Sequence, residues 1–99
     1  MIAYVLVKCQ PGRDSGVAQE TVKIDGVIEA AWTYGFCDIL LKLNVASVEK
    51  LNDIVFNKIR KMHGVESTET LMVSPIPIYG RRPSRTPARM RNRRKSSKR

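Results

Sequence analysis

Two Gly-Val pairs, Gly26-Val27 and Gly64-Val65, stand thirty-eight residues apart, each three positions after a lysine, Lys23 and Lys61. Before each pair runs a segment with helical spacing, and after each runs a β-prone one. In the first half, residues 2–9 are β-branched and aromatic-rich, and Pro11-Gly12 closes them. Asp14 or Ser15 caps a helix carrying Val17, Ala18, Thr21 and Ile24, and a strand follows over residues 27–34. The second half begins with a strand over residues 37–45, in which Cys37, Ile39, Leu41 and Leu43 alternate with Asp38, Leu40, Lys42 and Asn44. Ser47 caps a helix whose stripe is Val48, Leu51, Ile54, Val55, Ile59 and Met62, and residues 65–73 form the last strand. Two such halves in tandem predict an α+β fold: a ferredoxin-like βαββαβ sandwich, with a four-stranded antiparallel sheet and both helices on one face.

Charge divides the chain differently. Residues 1–74 hold eight Lys/Arg and nine Asp/Glu, whereas residues 75–99 hold ten Lys/Arg and no acid, and together they make the net +9. The expected organisation is a near-neutral domain over residues 1–74 and a disordered basic tail over residues 75–99, whose composition cannot offset chain entropy. A body that small buries only about 60% of its unfolded surface and commonly needs a staple. Two cysteines and one histidine show no zinc-ligand spacing, so no metal or cofactor is expected and oligomerisation is the predicted help. No apolar run approaches the roughly 18 residues of a membrane span, and the N-terminus does not read as a signal peptide, so a cytoplasmic protein without membrane contact is expected.

The sheet face away from the helices should be polar in a monomer. Parity instead assigns it Ile2, Tyr4, Leu6 and Leu40, with Trp32 and Met72 from adjoining strands. A patch of that kind predicts an interface, and its simplest cover is the same face of a second copy. The alternative is that residues 76–79 fold back as a lid.

The Gly-Val turns, the segment Tyr34-Gly35-Phe36-Cys37-Asp38-Ile39 and the run from Gly64 through Thr68 and Thr70 to Val73 resemble the Lrp/AsnC effector-binding (RAM) domain over nearly all of residues 1–74. The resemblance implies a non-catalytic effector-binding and oligomerisation module in transcription regulation. It implies a dimeric α/β barrel that can assemble further, to octamers, with amino-acid or similar small-molecule sites at contacts between dimers. Full-length Lrp/AsnC regulators become expected partners. Carried over residue by residue, the ligand site includes Gly35, Asp38, Thr68 and Thr70. A turn at Gly35 can present amides to an α-carboxylate, Asp38 can accept from an α-ammonium, and threonine hydroxyls can do either. Read without the resemblance, Gly-x-x-Asp is an ordinary hairpin turn. Strand one begins at Met1, leaving no room for a helix-turn-helix domain, so a stand-alone module is expected.

Other chemistry is thin. His63, beside Gly64 at a helix end, suits the helix dipole better than catalysis. Cys9 and Cys37 read as buried thiols, with a disulfide as the sharper alternative. A small α/β-barrel enzyme of monooxygenase or isomerase type would have to work through Tyr4, Trp32 and Asn44. A third reading is an architectural nucleic-acid binder whose body only oligomerises. The tail carries Arg81, Arg82, Arg85, Arg89, Arg91, Arg93, Arg94, Lys95, Lys98 and Arg99, an electrostatic ligand for the phosphates of DNA or RNA with no sequence preference.

Overall fold

The computed structural model describes residues 1–81. Four strands, β1 (Ile2–Cys9), β2 (Val27–Trp32), β3 (Ile39–Asn44) and β4 (Val65–Met72), form one antiparallel sheet in the order β2-β3-β1-β4. Helix α1 (Asp14–Thr21) joins β1 to β2, and α2 (Val48–Ile54), prolonged by one π-helical turn over Val55–Ile59, joins β3 to β4. This is the βαββαβ sandwich read from the repeat. Ala3, Val5 and Val7 of β1 and Ile39, Leu41 and Leu43 of β3 are fully buried against Val17 of α1 and against Leu51, Ile54, Val55 and Ile59.

The helix ends differ in detail from expectation. Arg13, not Asp14 or Ser15, occupies the capping position of α1 and makes no side-chain cap bond, while Asp14 lies in the first turn, where its charge suits the dipole. Ser47 does cap α2, accepting from the Lys50 amide at 3.1 Å. The π turn was not visible in the sequence. The Arg60 amide donates to Val55 O, five residues back, at 2.9 Å. That extra residue in the turn lets the adjacent Ile54 and Val55 both face the sheet and still brings Ile59 beneath it. The expected stripe loses its outer members: Val48 is 43% exposed and Met62 only half-buried.

Both Gly-Val turns have positive φ at the glycine, 105° at Gly26 and 99° at Gly64. At Gly64 the turn also packs tightly, because an added Cβ would meet Arg13 Cβ at 2.6 Å. The Gln10 amide donates to Gly64 O at 2.8 Å, tying the end of β1 to the start of β4.

Candidate functional site

The β2–β3 connection is shorter in strand and longer in loop than expected, since β2 stops at Trp32 and β3 begins at Ile39. Its base is closed from both sides. The Thr33 amide donates to Asp38 O at 3.0 Å, and Thr33 Oγ1 donates to Cys37 O at 2.7 Å. The Asp38 amide donates to Val7 O at 2.9 Å, and the Cys9 amide donates to Asp38 Oδ2 at 2.7 Å. One oxygen of the Asp38 carboxylate therefore finishes the β1 ladder, a structural duty the sequence did not reveal. Above that base the tip is open: Tyr34 and Phe36 are exposed, and Gly35, at φ 104°, has nothing within 4 Å of where a Cβ would sit.

Cys9 and Cys37 are buried and both are free thiols. Burial raises the Cys9 pKa above its usual value, and the carboxylates of Asp38 and Asp14 push it the same way. Cys9 thus stays a protonated thiol at neutral pH, which suits a small core side chain and not a nucleophile.

Thr68 and Thr70 lie elsewhere. They pair with Val7 and Val5, so they share the helix-bearing face and are half-buried there. Val7 O holds the loop from one side of β1 and Thr68 pairs with Val7 from the other. The loop and the threonines occupy one end of the sheet but lie two strands apart, about 10 Å. Gly35 and Asp38 come together within one copy; Thr68 and Thr70 do not join them.

The open sheet face requires two corrections. Register places Ile2, Tyr4 and Leu6 beside Asn44, Lys42 and Leu40, as expected. Trp32, however, pairs with Ile39 and so lies on the helix-bearing side, in an apolar groove with Ala18 of α1, Val22 just after that helix and Ala30 of β2. The cause is a bulge between Val27 and Glu29, which inverts the parity of β2 beyond it. Met72 pairs with Ala3 and is likewise on the helix side, whereas Leu71 pairs with Tyr4 and joins the open face. Ala31 completes that face beside Leu40, and the charged Glu29, Lys42 and Glu69 border the apolar centre. These positions also divide the enzyme set. Tyr4 and Trp32 lie on opposite faces, and Asn44 Oδ1 accepts from the Met1 ammonium at 3.2 Å.

His63 is exposed in the turn before β4. Among the described residues no cluster of three His, Cys, Asp or Glu can hold a metal ion, and no helix is long and apolar enough to cross a membrane. Arg81 is exposed and ends the described chain; Arg82, Arg85, Arg89, Arg91, Arg93, Arg94, Lys95, Lys98 and Arg99 lie outside the described residues.

Comparison with known proteins converges on one module. The family model for the Lrp/AsnC ligand binding domain matches residues 2–83. An uncharacterized HTH-type transcriptional regulator of Pyrococcus furiosus, PF0250, is 42% identical over 81 residues, covering 77% of this chain and 52% of that protein. The chain spans about half the length of the curated relatives it matches. Among solved structures, TTHA0845 from Thermus thermophilus is 29% identical with a TM-score of 0.72, over 81% of this chain and 98% of its own. E. coli AsnC is 26% identical, also with a TM-score of 0.72, over 81% of this chain and 54% of its own.

Proposed function

This chain belongs to the Lrp/AsnC ligand-binding-domain family, and from that premise we propose that it is a non-catalytic module that senses an amino acid or similar small molecule and alters assembly in transcription regulation. The observation that carries the reading is the β2–β3 loop within the matched residues 2–83: a rigid base built on Asp38 under an open tip with Gly35. Amides around Gly35 receive the effector's α-carboxylate. Asp38 Oδ1, which accepts no hydrogen bond among the described residues, receives its α-ammonium while Oδ2 keeps the Cys9 amide. Thr68 and Thr70 lie two strands away from the loop, so they complete the site only from a neighbouring copy. The relatives are transcriptional regulators carrying a ligand-binding domain, which favours this reading over an enzyme.

Two copies associate through the open sheet face about Tyr4, Leu6, Leu40 and Leu71, giving a closed two-fold dimer that can assemble further or join full-length regulators of the family. The module acts in the cytoplasm. The sheet ends at Met72, and the run of cations from Arg81 onward contacts DNA or RNA phosphates.

A panel of amino acids tested by thermal shift and calorimetry should give a saturable rise in Tm for a subset of them. Asp38→Asn separates the two duties of that side chain, because the amide oxygen still accepts from Cys9 N–H but carries no charge. It should fold as the wild type does and bind the effector about 10–100-fold more weakly, the range expected for losing a hydrogen bond to a charged group. Unchanged affinity in this variant would remove Asp38 from the site.

Deleting residues 80–99 removes all ten tail cations, Arg81 among them. With all ten engaged on duplex DNA, log K falls against log salt with a slope of about −9. The truncated protein should lose nucleic-acid retention at low salt while keeping its mass in solution. Equal retention by the truncated protein would refute the phosphate-contact role.

A further inference from the structure

The chain leaves the sheet at Met72 and continues as an arm with three strongly exposed apolar side chains, Ile76 at 75%, Ile78 at 96% and Tyr79 at 86%. The lid alternative is thereby overturned: the arm does not fold back on its own body. Yet it is not a polar linker. Its root is tied to β1 by the Val73 amide, which donates to Ile2 O at 3.1 Å, and the Ile76 amide donates to Ser74 Oγ at 3.2 Å. Met1, Ile2, Val73, Ser74 and Pro75 line one apolar cleft there, and Ile2 belongs to the open face. Leu71, Val73 and Pro75 thus continue the apolar surface of that face past the edge of the sheet, and the exposed Ile76 and Ile78 follow directly in the chain.

We propose that this arm, residues 73–79, is a clasp that lies on the second copy of the chain and forms part of the same interface as the open sheet face. The inference rests on the dimer reading above. Three observations choose a second copy as the occupant. The arm is continuous with the face that dimerises, so a copy seated on Leu6 and Leu71 is already beside it. The family match runs through residue 83, so the arm falls inside the matched module and not beyond it. Pro75 and Pro77 hold φ near −65°, which narrows the conformations open to the arm and lowers the entropy lost when it is seated. Seven residues span at most about 23 Å, more than twice the roughly 10 Å between stacked sheets, so even with the bend at residues 75–76 the arm is long enough to cross onto its partner.

The test uses the full chain and measures the dimer dissociation constant by sedimentation. Ile76→Asp/Ile78→Asp should weaken the dimer by about tenfold or more for each side chain withdrawn from the interface, while Ile76→Leu/Ile78→Leu stays close to wild type. In a mixed dimer of isotope-labelled and unlabelled copies, filtered NOEs should connect the Ile76 and Ile78 methyls to the other copy. A wild-type dimer whose constant is unmoved by the aspartates, or whose arm methyls see only their own copy, overturns the clasp and leaves the dimer reading intact. A wild-type chain that is monomeric at every concentration removes both.

Discussion

Leu6→Asp should turn the proposed dimer into a monomer that remains folded. Leu6 lies at the centre of the open face, opposite Leu40 on β3 and Glu69 on β4. In the single copy it is half-buried and points away from the core, so the helix-side packing of Val5 and Val7 does not change. In the dimer the substitution counts twice, because a two-fold interface presents the same position from both sides. Each copy loses the burial of the exposed half of a leucine, about half of the 1.5–3 kcal/mol of a whole side chain, and brings a carboxylate beside Glu69 into a desolvated interface. The expected loss is at least about 100-fold in the dimer constant, since the exposed halves of two leucines contribute about 1.5–3 kcal/mol and the desolvated carboxylates add to them. Light scattering should report the monomer mass, and circular dichroism should retain the α+β spectrum. A variant that stays dimeric at micromolar concentration would place the interface on another surface.

Much of the architecture was legible because β1 and β3 alternate cleanly. Val5 and Val7 with Leu41 and Leu43 gave the buried face, and the opposite parity gave Tyr4, Leu6 and Leu40. Legibility failed where the alternation itself fails. Ile28 is the extra residue of a bulge, and every parity argument beyond it, Trp32 included, comes out inverted. At the end of β4 the apolar residues Leu71, Met72 and Val73 are consecutive, so only pairing with β1 decides which of them faces the helices. The π turn stayed hidden for a similar reason: Ile54 and Val55 fit a helical stripe whether or not one extra residue is accommodated. Asp38 shows a different limit. Its residue type and spacing pointed to a polar role in the loop, but the bond to Cys9 spans twenty-nine residues of sequence and follows only from the strand pairing.

The three glycines with φ near 100° provide a graded test of how much packing adds to backbone strain. Gly26, Gly35 and Gly64 have nearly equal φ, 105°, 104° and 99°, so replacing each with alanine costs similar backbone energy, about 1–2 kcal/mol. Their surroundings differ. At Gly35 a Cβ meets nothing within 4 Å; at Gly26 it comes 3.3 Å from Ile54 Cδ1, the end of a side chain that can shift. At Gly64 it would sit 2.6 Å from Arg13 Cβ and 3.1 Å from Val17 Cγ2, and Val17 is fully packed in the core. Arg13 Cβ is fixed to the backbone that leads into α1, so relief requires moving the helix or the turn, an overpacking cost of about 1–3 kcal/mol more. Gly64→Ala should therefore lose about 2–5 kcal/mol, and at roughly 4–8 °C per kcal/mol for a domain of this size its Tm should fall by at least about 8 °C. Gly26→Ala should fall between it and Gly35→Ala. Unfolding should be compared at one protein concentration, because the proposed dimerisation would add to the apparent stability of each variant. Equal losses at all three positions would mean that backbone strain alone is being measured and that the Gly64–Arg13 contact does not hold the first turn of α1 against the start of β4.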